Sequence, residues 1–512
     1  MTVEFVVDGR PVSVEADGAS LLEALRDRLG VRGPKDGCSP QGQCGCCTVW
    51  VDGQPRVACV TPVARVAGRT VTTVDGLPDA GAWAQRLCAS GGSQCGFCTP
   101  GIIMRLAALE PARRTDDGVR QALLAHLCRC TGWQTVVEAA VAPTAGGHDD
   151  AAAPARDLAA AAARAALEGG SPQQVAPAVA LGRGGFAADT APADALVAVP
   201  AGDGGWAVAA TLTEARGAAG KVQGRRTTEP LTWPIEVPAG DWVRTLQTTW
   251  VEPAYLEPDA AWCAPGGDPV LSLTNGGAFG GKAGGPAAEI AAVARRLADE
   301  HGRPVVAQYS REDVVRFGPK RPPLAAGVRA DGTGIVRVAR TAGIAEAIAA
   351  VAPGLLVEEV DIAGPPTSAG IRAAGWAEAA VLLAPPDGWV TAPNGAAARA
   401  EIAGDGAVSV TVRCGEVLDG VVVRSYCIGA AHMALGWVRS EGIAVGADGV
   451  PLDLTIRSFG VLRAVDTPVV QVAVDAGGGP PVNGSDAVFA AVALAAWRAA
   501  GFPPRWPTMQ GV

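Results

Sequence analysis

The sequence predicts an α+β protein of several domains whose N-terminal part carries metal centres. Ten of the thirteen cysteines lie between Cys38 and Cys130. The chain opens on an alternating strand, VEFVV, and its second half alternates strand-like segments such as DALVAVP with helix-like ones such as AAEIAAVARRLADEHG. With 512 residues, 49% of them hydrophobic, the chain can bury the cores of about two to four domains.

The first cysteine set has a spacing close to that of a plant-type ferredoxin. Cys38, Cys44 and Cys47 share one loop, and Cys59 follows a strand-like segment with an Asp52-Gly53 turn. Such ferredoxins hold [2Fe-2S] with C-x4-C-x2-C and a distant fourth cysteine. The first gap here is five residues, which a looser turn can absorb. We therefore expect these four thiolates to bind a [2Fe-2S] cluster.

The second cysteine set consists of Cys95 and Cys98 in QCGFCTPG and of Cys128 and Cys130 in HLCRCTGW. These four thiolates can serve one further metal centre, and a zinc site or a thioredoxin-like dithiol are the other interpretations. The ferredoxin-type loop nearby favours a second iron-sulfur cluster over both. Disulfides are disfavoured because nothing in the sequence marks the chain as secreted.

Together the two cysteine motifs resemble those of the small iron-sulfur subunit of the xanthine oxidase, or molybdenum hydroxylase, family. The opening VEFVVDGRPVSVEADGASLLEALRDRLG is similar to that subunit's β-grasp hairpin and helix. The resemblance implies a β-grasp ferredoxin domain over residues 1–77 and a four-helix domain over 78–142, each with one [2Fe-2S] cluster. It also implies that the first cluster faces a flavin partner and that the second lies beside molybdopterin, with Gln94 and Cys130 contacting the pterin.

Composition divides the rest of the chain. Residues 143–175 are rich in Ala and small or acidic residues, which predicts an interdomain linker with one helix that stops at Gly169-Gly170. Residues 176–512 then predict a mixed α/β domain, because strand-like and helix-like segments alternate there.

The most informative segment of this second half is a glycine loop, TNGGAFGGKAGG, between a predicted strand and a predicted helix. Free backbone N–H groups and the helix dipole favour anion binding at such a place. Gly276 to Lys282 satisfies G-x4-G-K, but Ala283 lacks the hydroxyl with which a nucleotide-binding P-loop reaches magnesium. A glycine-rich turn without a ligand is the other interpretation.

The same loop resembles the GGxFGGK loop of the family's molybdenum-binding subunit. HGRPVVAQYSREDVVRFGPKRPP and the closing SDAVFAAVALAAWRAAGFPPRWP are also similar to segments of that subunit. The resemblance implies that Gly277, Phe279 and Gly280 approach the molybdenum cofactor, and that Arg372 in SAGIRAAGWAEA matches an Arg-Gly loop. Residues 176–512 are therefore interpreted as a shortened molybdopterin-binding-like domain.

The second half also departs from the family. It is much shorter than the molybdenum subunit, and the family's catalytic Glu in a GxGE motif has no counterpart in VDAGGGPPVNGSDAVFAAV. Asp486 is the nearest carboxylate and the candidate catalytic base, although Ser485-Asp486 also resembles an ordinary helix start. Glu416 and Glu441 lie beside predicted turns and helix ends, where glutamates are usually solvated.

Charge and the N-terminal sequence restrict the partners. A net charge of -9 argues against nucleic acid and anionic membranes. The N-terminus lacks a basic region followed by an apolar core, and no long uninterrupted apolar run follows, so we expect no membrane span and a cytoplasmic protein. Thiolates stay reduced and available to iron there.

Three functions are compatible with these features. The chain is interpreted first as the iron-sulfur electron-transfer component of a molybdenum-hydroxylase-type oxidoreductase, passing electrons from molybdopterin through two [2Fe-2S] clusters to a flavin. The alternative is a self-contained hydroxylase of aldehydes or N-heterocycles with its own molybdopterin. A metal-binding scaffold without redox turnover is disfavoured by the intact cluster motifs. No flavin fingerprint is visible, so the first function implies a hetero-oligomer in which a full-length molybdenum subunit and an FAD-binding subunit are the partners.

Overall fold

A computed structural model describes residues 2–141, 156–202, 204–220, 224, 229–274, 276–282, 285–475 and 477–509. Within these ranges the strands form four β-sheets. One sheet belongs to the N-terminal part, which carries both cysteine sets, and three belong to the second half.

The N-terminal sheet has the strand order β2-β1-β5-β3-β4. Its strands are β1 (Thr2–Val7), β2 (Arg10–Glu15), β3 (Thr48–Val51), β4 (Gln54–Val57) and β5 (Thr70–Thr72). Alternate residues of β1 are buried, as expected for a strand with one face on the core. The chain then turns into α1 (Leu21–Glu23), which begins at Ser20 because the Ser20 hydroxyl accepts a hydrogen bond from Glu23 N–H.

Four α-helices complete the N-terminal part. They are α2 (Ala80–Ser90), α3 (Thr99–Ala107), α4 (Asp116–Ala122) and α5 (Gln134–Val141). Helix α2 ends at Gly91, whose φ of 75° suits a glycine at a helix C-terminus. The second cysteine set lies just before α3 and in the loop between α4 and α5.

The second half begins with helices α6 (Leu158–Gly169), α7 (Pro177–Ala180) and α8 (Ala187–Thr190). A sheet of order β10-β9-β11-β6-β7 follows. Its strands are β6 (Leu196–Pro200), β7 (Trp206–Ala209), β9 (Ala260–Cys263), β10 (Val270–Leu271) and β11 (Val305–Gln308). Helices α9 (Leu212–Ala219), α10 (Gly285–His301) and α11 (Arg311–Phe317) alternate with these strands, and the glycine loop lies between β10 and α10.

The two remaining sheets each combine antiparallel pairs with one parallel pair. The sheet of order β14-β13-β12-β8 comprises β8 (Arg244–Gln247), β12 (Leu324–Val328), β13 (Gly334–Ala339) and β14 (Leu355–Val360). The sheet of order β15-β16-β17-β18 comprises β15 (Trp389–Thr391), β16 (Ala397–Ile402), β17 (Val408–Arg413) and β18 (Val470–Val474). Helices α12 (Ile344–Ala349) and α13 (Trp376–Leu383) lie between these strands in the chain.

Two long helices, α14 (Gly420–Arg439) and α15 (Ser485–Ala499), pack against each other in the core of the second half. Their contact includes the stacked rings of Trp437 and Phe489, whose centroids are 5.0 Å apart. Helix α14 is the one described helix whose length and hydropathy would allow it to cross a membrane, but 89% of that window is buried inside the protein. It is the core helix against which both halves of the chain pack.

The structure describes only the later part, from residue 156, of the linker expected over residues 143–175. Residues 142–155, including His148, lie outside the described residues. From residue 158 onward the chain is not a linker, because α6 packs into the core of the second half. Arg164 on α6 is fully buried, forms an ion pair with Glu168, and donates to the carbonyl oxygens of Cys414 and Val482. Helix α6 ends at Gly169-Gly170, where the sequence predicts a helix to stop, but one of its faces is buried.

Candidate cluster sites and the glycine loop

The first cysteine set is gathered in a buried loop beside the N-terminal sheet. Cys38, Cys44, Cys47 and Cys59 are all buried, although Cys59 comes from the turn after β4. The Cys38 thiol contacts those of Cys44 and Cys59, and the Cys59 thiol contacts that of Cys47. Because these thiols form hydrogen bonds with one another, the pKa of Cys38 lies well below its usual value. For the same reason the pKa values of Cys44 and Cys59 lie above it.

Backbone N–H groups point at the sulfurs of this first set. Gln41 N–H donates to Cys38 Sγ over 3.3 Å, and Cys59 N–H donates to Cys47 Sγ over 3.4 Å. Such donors stabilise negative charge on thiolate ligands and tune the potential of a bound cluster. Cys46 is also fully buried, and its thiol contacts that of Cys44.

The second set converges from two separate segments. Cys95 Sγ and Cys130 Sγ are 3.6 Å apart, and the thiols of Cys98 and Cys128 form a hydrogen bond. That hydrogen bond, with a further one from Thr131 at 3.2 Å, lowers the pKa of Cys128 to about 6. Hydrogen bonds to the neighbouring thiols, and then burial, raise the pKa of Cys98 and Cys130. All four side chains are buried.

The two cysteine loops touch each other. Leu127 N–H, adjacent to Cys128, donates to the Cys44 carbonyl oxygen over 3.0 Å. A Cβ at Gly101 on α3 would overlap with Gly45 O, so the close approach of α3 to the first loop requires glycine. His126 packs against Gly45, with its Nε2 3.3 Å from Thr48 Oγ1, and burial lowers its pKa to about 3. His126 is therefore a neutral packing residue.

The donor chemistry and spacing of both sets fit binuclear iron-sulfur clusters. Two thiolates on one tetrahedral metal with bonds of about 2.3 Å lie about 3.7 Å apart, which the Cys95–Cys130 pair matches. Among the described residues no group of three or more His, Cys, Asp or Glu side chains surrounds a single ion position. The second set provides two thiol pairs, Cys95 with Cys130 and Cys98 with Cys128, and a binuclear cluster takes two thiolates per iron.

Gln94 lies where the second cysteine set meets the second half. Its Nε2 donates to Cys130 O over 3.2 Å and to Ser425 Oγ of α14 over 3.0 Å, while its buried Oε1 has no hydrogen-bond partner among the described residues. Gly277 of the glycine loop approaches the same place. A Cβ on Gly277 would lie 3.1 Å from Cys130 Sγ, and its φ of 91° also requires glycine.

The other candidates from the sequence form a second group. The Arg372 guanidinium lies 3.9 Å from the ring centroid of Phe279, and Arg372 N–H donates to Phe279 O over 2.8 Å. Arg372 Nε donates to Asp486 over 2.9 Å and Nη2 donates to Ser485 Oγ over 2.6 Å. A Cβ on Gly280 would overlap with Gly370 O, so the backbone packs closely here.

Asp486 lies in the first turn of α15, and its side chain is 26% exposed. Besides Arg372, Asn483 Nδ2 donates to its carboxylate over 3.0 Å. Both oxygens of the carboxylate thus accept hydrogen bonds at the start of α15, one from Arg372 and one from Asn483. This arrangement is also that of an ordinary helix start, and the role of Asp486 as a catalytic base stays a prediction.

Buried ion pairs fill the space between these groups. Arg129 forms two hydrogen bonds with Glu441, of 2.6 and 2.7 Å, and Arg321 forms two with Glu378, of 2.7 and 2.9 Å. The cavity that remains between Arg129, Arg372 and Glu441 has a volume of about 20 Å³. That is room for about one water molecule.

The described residues around Gln94 and Arg372 do not fit molybdopterin, because they leave too little space for it. The residues that resemble the family's cofactor site nevertheless lie close together. A site for a ligand of that size needs about 300–1,000 Å³. A cavity of about 230 Å³ is lined by Ser171, Gly280 and Lys282, but not by Gln94 or Arg372. The backbone of the glycine loop thus lies close to Cys130. Buried ion pairs fill the space beside it.

The expectation that Glu441 is solvated is wrong. Its side chain is 1% exposed and paired with Arg129, whereas Glu416 is exposed as expected. Burial raises the pKa of Glu441, and the Arg129 guanidinium opposes that rise. No sequence pattern marks Glu441, because it meets Arg129 only through the tertiary fold. The one local signal was Arg129 itself, a charged residue between two cysteines.

The N-terminal part of the chain is similar to known iron-sulfur proteins. Residues 73–141 match the family described as "[2Fe-2S] binding domain". One component of the nicotinate dehydrogenase of Pseudomonas putida is 41% identical over 138 residues, which cover 85% of that protein and 25% of this chain. Caffeine dehydrogenase subunit gamma of a Pseudomonas species is 35% identical over 153 residues, covering 91% of that protein and 28% of this chain. The xanthine dehydrogenase iron-sulfur-binding subunit of Escherichia coli is 38% identical, covering 90% of that protein and 27% of this chain.

The likeness of fold extends over the second half. The aldehyde oxidoreductase from Desulfovibrio gigas superposes with a TM-score of 0.66 and 14% identity, covering 96% of this chain and 97% of that one. The enzyme from Desulfovibrio desulfuricans gives a TM-score of 0.65 and 15% identity over the same shares. The chain thus has a mixed α/β multidomain fold similar to aldehyde oxidoreductase. It belongs to the xanthine dehydrogenase and aldehyde oxidoreductase family, whose members are oxidoreductases with [2Fe-2S] clusters and molybdopterin.

Proposed function

We propose that this chain is the iron-sulfur electron-transfer component of a molybdenum-hydroxylase-type oxidoreductase. Electrons from a molybdopterin centre on another subunit would pass through two [2Fe-2S] clusters to a flavin. The supporting observation is the arrangement of eight buried cysteines in two sets whose loops meet at the Leu127–Cys44 hydrogen bond. The residues of each set have a common role, which is to bind one cluster.

The ligands follow from this arrangement. Cys38, Cys44, Cys47 and Cys59 would hold the first cluster, and Cys95, Cys98, Cys128 and Cys130 the second. Each cluster would supply a one-electron carrier. The protein excludes water from both by burying every ligand, and the N–H groups of Gln41 and Cys59 stabilise charge on the sulfurs of the first set.

The domain organisation and location belong to the same proposal. We assign the N-terminal sheet with α1 to a β-grasp ferredoxin domain and α2 to α5 to a four-helix domain for the second cluster. The second half then acts as a molybdopterin-binding-like domain that covers the second cluster. The cytoplasm is the proposed location, because thiolates stay reduced there.

The partners are a full-length molybdenum subunit and an FAD-binding subunit in a hetero-oligomer. Relatives named as subunits of nicotinate and caffeine dehydrogenases support this assembly. The 20 Å³ cavity beside Arg372 supports placing molybdopterin on a partner.

The test is metal analysis of anaerobically purified protein expressed without partners. We expect about four irons per chain, no molybdenum, and uptake of about two electrons from dithionite with two distinct electron paramagnetic resonance (EPR) signals. Reoxidation by a free flavin should restore the oxidised spectrum. Absence of iron in protein supplied with iron and sulfide would overturn the proposal.

A self-contained hydroxylase is the second candidate, and the unpartnered Oε1 of Gln94 beside Cys130 favours it. A buried oxygen without a partner is costly, and a bound pterin donor would satisfy it. Molybdenum near one per chain, together with aldehyde or N-heterocycle oxidation by the isolated chain, would support this candidate over the first.

A further inference from the structure

Arg129 is the residue between Cys128 and Cys130, and its side chain points out of the N-terminal part into the second half. Arg129 Nη1 and Nη2 donate to the two carboxylate oxygens of Glu441, and Nε donates to Pro253 O over 2.9 Å. The arginine is buried with only 5% of its side chain exposed. A full positive charge is therefore fixed one residue from two ligands of the proposed second cluster.

The C-terminal end of α14 fixes the position of Glu441. Its N–H donates to Gly436 O over 2.8 Å, which turns the chain back against the last turn of the helix. A Cβ at Gly436 would overlap with Glu441 Oε1, so glycine at this position leaves room for the carboxylate. The carboxylate lies in the low-dielectric core of the second half, where a charge requires a partner.

Charges near an iron-sulfur cluster change its reduction potential, because reduction adds one negative charge to the cluster. A lone guanidinium about 10 Å away, at an effective dielectric constant of about 20, would favour the reduced form roughly tenfold or more. A carboxylate in bidentate contact with the guanidinium cancels most of this effect. Glu441 thus supplies the one charge that compensates Arg129 in the part of the chain that the structure describes.

We propose that Glu441 is a positioning residue for electron transfer, which neutralises Arg129 and so keeps the reduction potential of the second cluster low. A low potential there favours transfer of electrons onward to the first cluster. The inference rests on the proposed function, since it needs both clusters. It gives the second half a role that requires no molybdopterin in this chain: its Glu441 sets the driving force of the electron relay in the N-terminal part.

The test is an EPR-monitored redox titration of the whole chain with Glu441→Gln. We expect the reduction equilibrium constant of the second cluster to rise about tenfold, which is about 59 mV in its midpoint potential for one electron, while the midpoint of the first stays unchanged. Glu378→Gln is the matched control, because it also breaks a buried bidentate pair, that with Arg321, outside the loop of the second cluster. It should destabilise the chain, leave the first midpoint in place and move the second midpoint less than Glu441→Gln does, because Arg321 is not adjacent to a cysteine ligand.

Two more variants keep the test decisive. Arg129→Gln combined with Glu441→Gln leaves neither charge and should return the second midpoint close to that of the unmodified chain. If Glu441→Gln does not fold, Glu441→Asp withdraws the carboxylate from Arg129 and should produce a smaller rise. The inference is wrong if both clusters are present and the second midpoint does not move, or moves equally in Glu378→Gln. Absence of the clusters from the unmodified chain would instead contradict the proposed function.

Discussion

The cysteine loops of the N-terminal part and the glycine loop region of the second half are both buried and rich in reactive side chains, but their polar groups are satisfied differently. In the cysteine loops, thiols face other thiols, as with Cys95 and Cys130 at 3.6 Å. Around the glycine loop, each guanidinium faces a carboxylate, as with Arg129 and Glu441. Several thiols brought together indicate a metal site, whereas a guanidinium and a carboxylate brought together neutralise each other. The first region is arranged to bind a cofactor, whereas in the second the buried guanidinium groups already have carboxylate partners.

The largest effect that tests this difference is loss of one cluster. Changing Cys128 to Ser removes one of four thiolates, and we expect iron to fall from about four to about two per chain, with loss of one EPR signal. The other signal should remain, because the first set has its own ligands. Cys263→Ser is the control, since Cys263 is buried but hydrogen-bonded to the carbonyl oxygens of Ala264 and Gly267. Equal iron loss in both variants would contradict the assignment.

Much of the first region could be predicted from sequence because its information is local. The spacing of Cys38, Cys44 and Cys47 lies within one loop, and the second set consists of two short motifs. The second region joins residues far apart in the chain: Arg129 and Glu441 are separated by 312 positions, and Arg372 and Asp486 by 114. No periodicity or turn signal encodes such contacts, so the sequence indicated the glycine loop but not the ion pairs that fill its surroundings.

The second largest effect concerns stability in the ion-paired region. Glu378→Gln leaves the Arg321 guanidinium buried and unpaired, which should cost about 3–5 kcal/mol. Glu358→Gln, in the half-exposed pair with Arg337, should cost at most about 1 kcal/mol. Thermal unfolding of the cluster-loaded chain measures both. If the two variants lowered the melting temperature equally, the second region would not be held together by its buried pairs.

A smaller effect is a pH dependence at the contact between the two regions. His432 on α14 packs against Gly132, its Nε2 lies 3.1 Å from Leu462 O, and burial lowers its pKa to about 4. Since the unfolded chain binds a proton near pH 6.5 and the folded one does not, stability is complete above pH 6.5 and falls as the pH drops toward 4, by about 3 kcal/mol.

The measurement is the melting temperature of the chain between pH 7 and pH 5. His432→Gln removes the titrating group and should make the decline with falling pH shallower. His301→Gln, at an exposed position on the last turn of α10, should leave the decline as it is. An unchanged slope in His432→Gln would mean that acid acts on other groups.

The smallest expected loss of stability is that of Asp486→Asn, and its size distinguishes a structural carboxylate from a catalytic one. Asparagine keeps one acceptor for Arg372 at a partly exposed position, so the loss should be about 1 kcal/mol, with no change in iron content or in either cluster potential. A catalytic base behaves differently, because its removal lowers the turnover rate of a loaded enzyme by a factor of about 10²–10⁴ while stability barely changes. Stability and turnover measured on the same preparation therefore distinguish an ion pair that completes a helix start from a reacting carboxylate. A large loss of aldehyde oxidation in this variant, in a chain that contains molybdenum, would make the second region a working active site and remove the difference between the two regions.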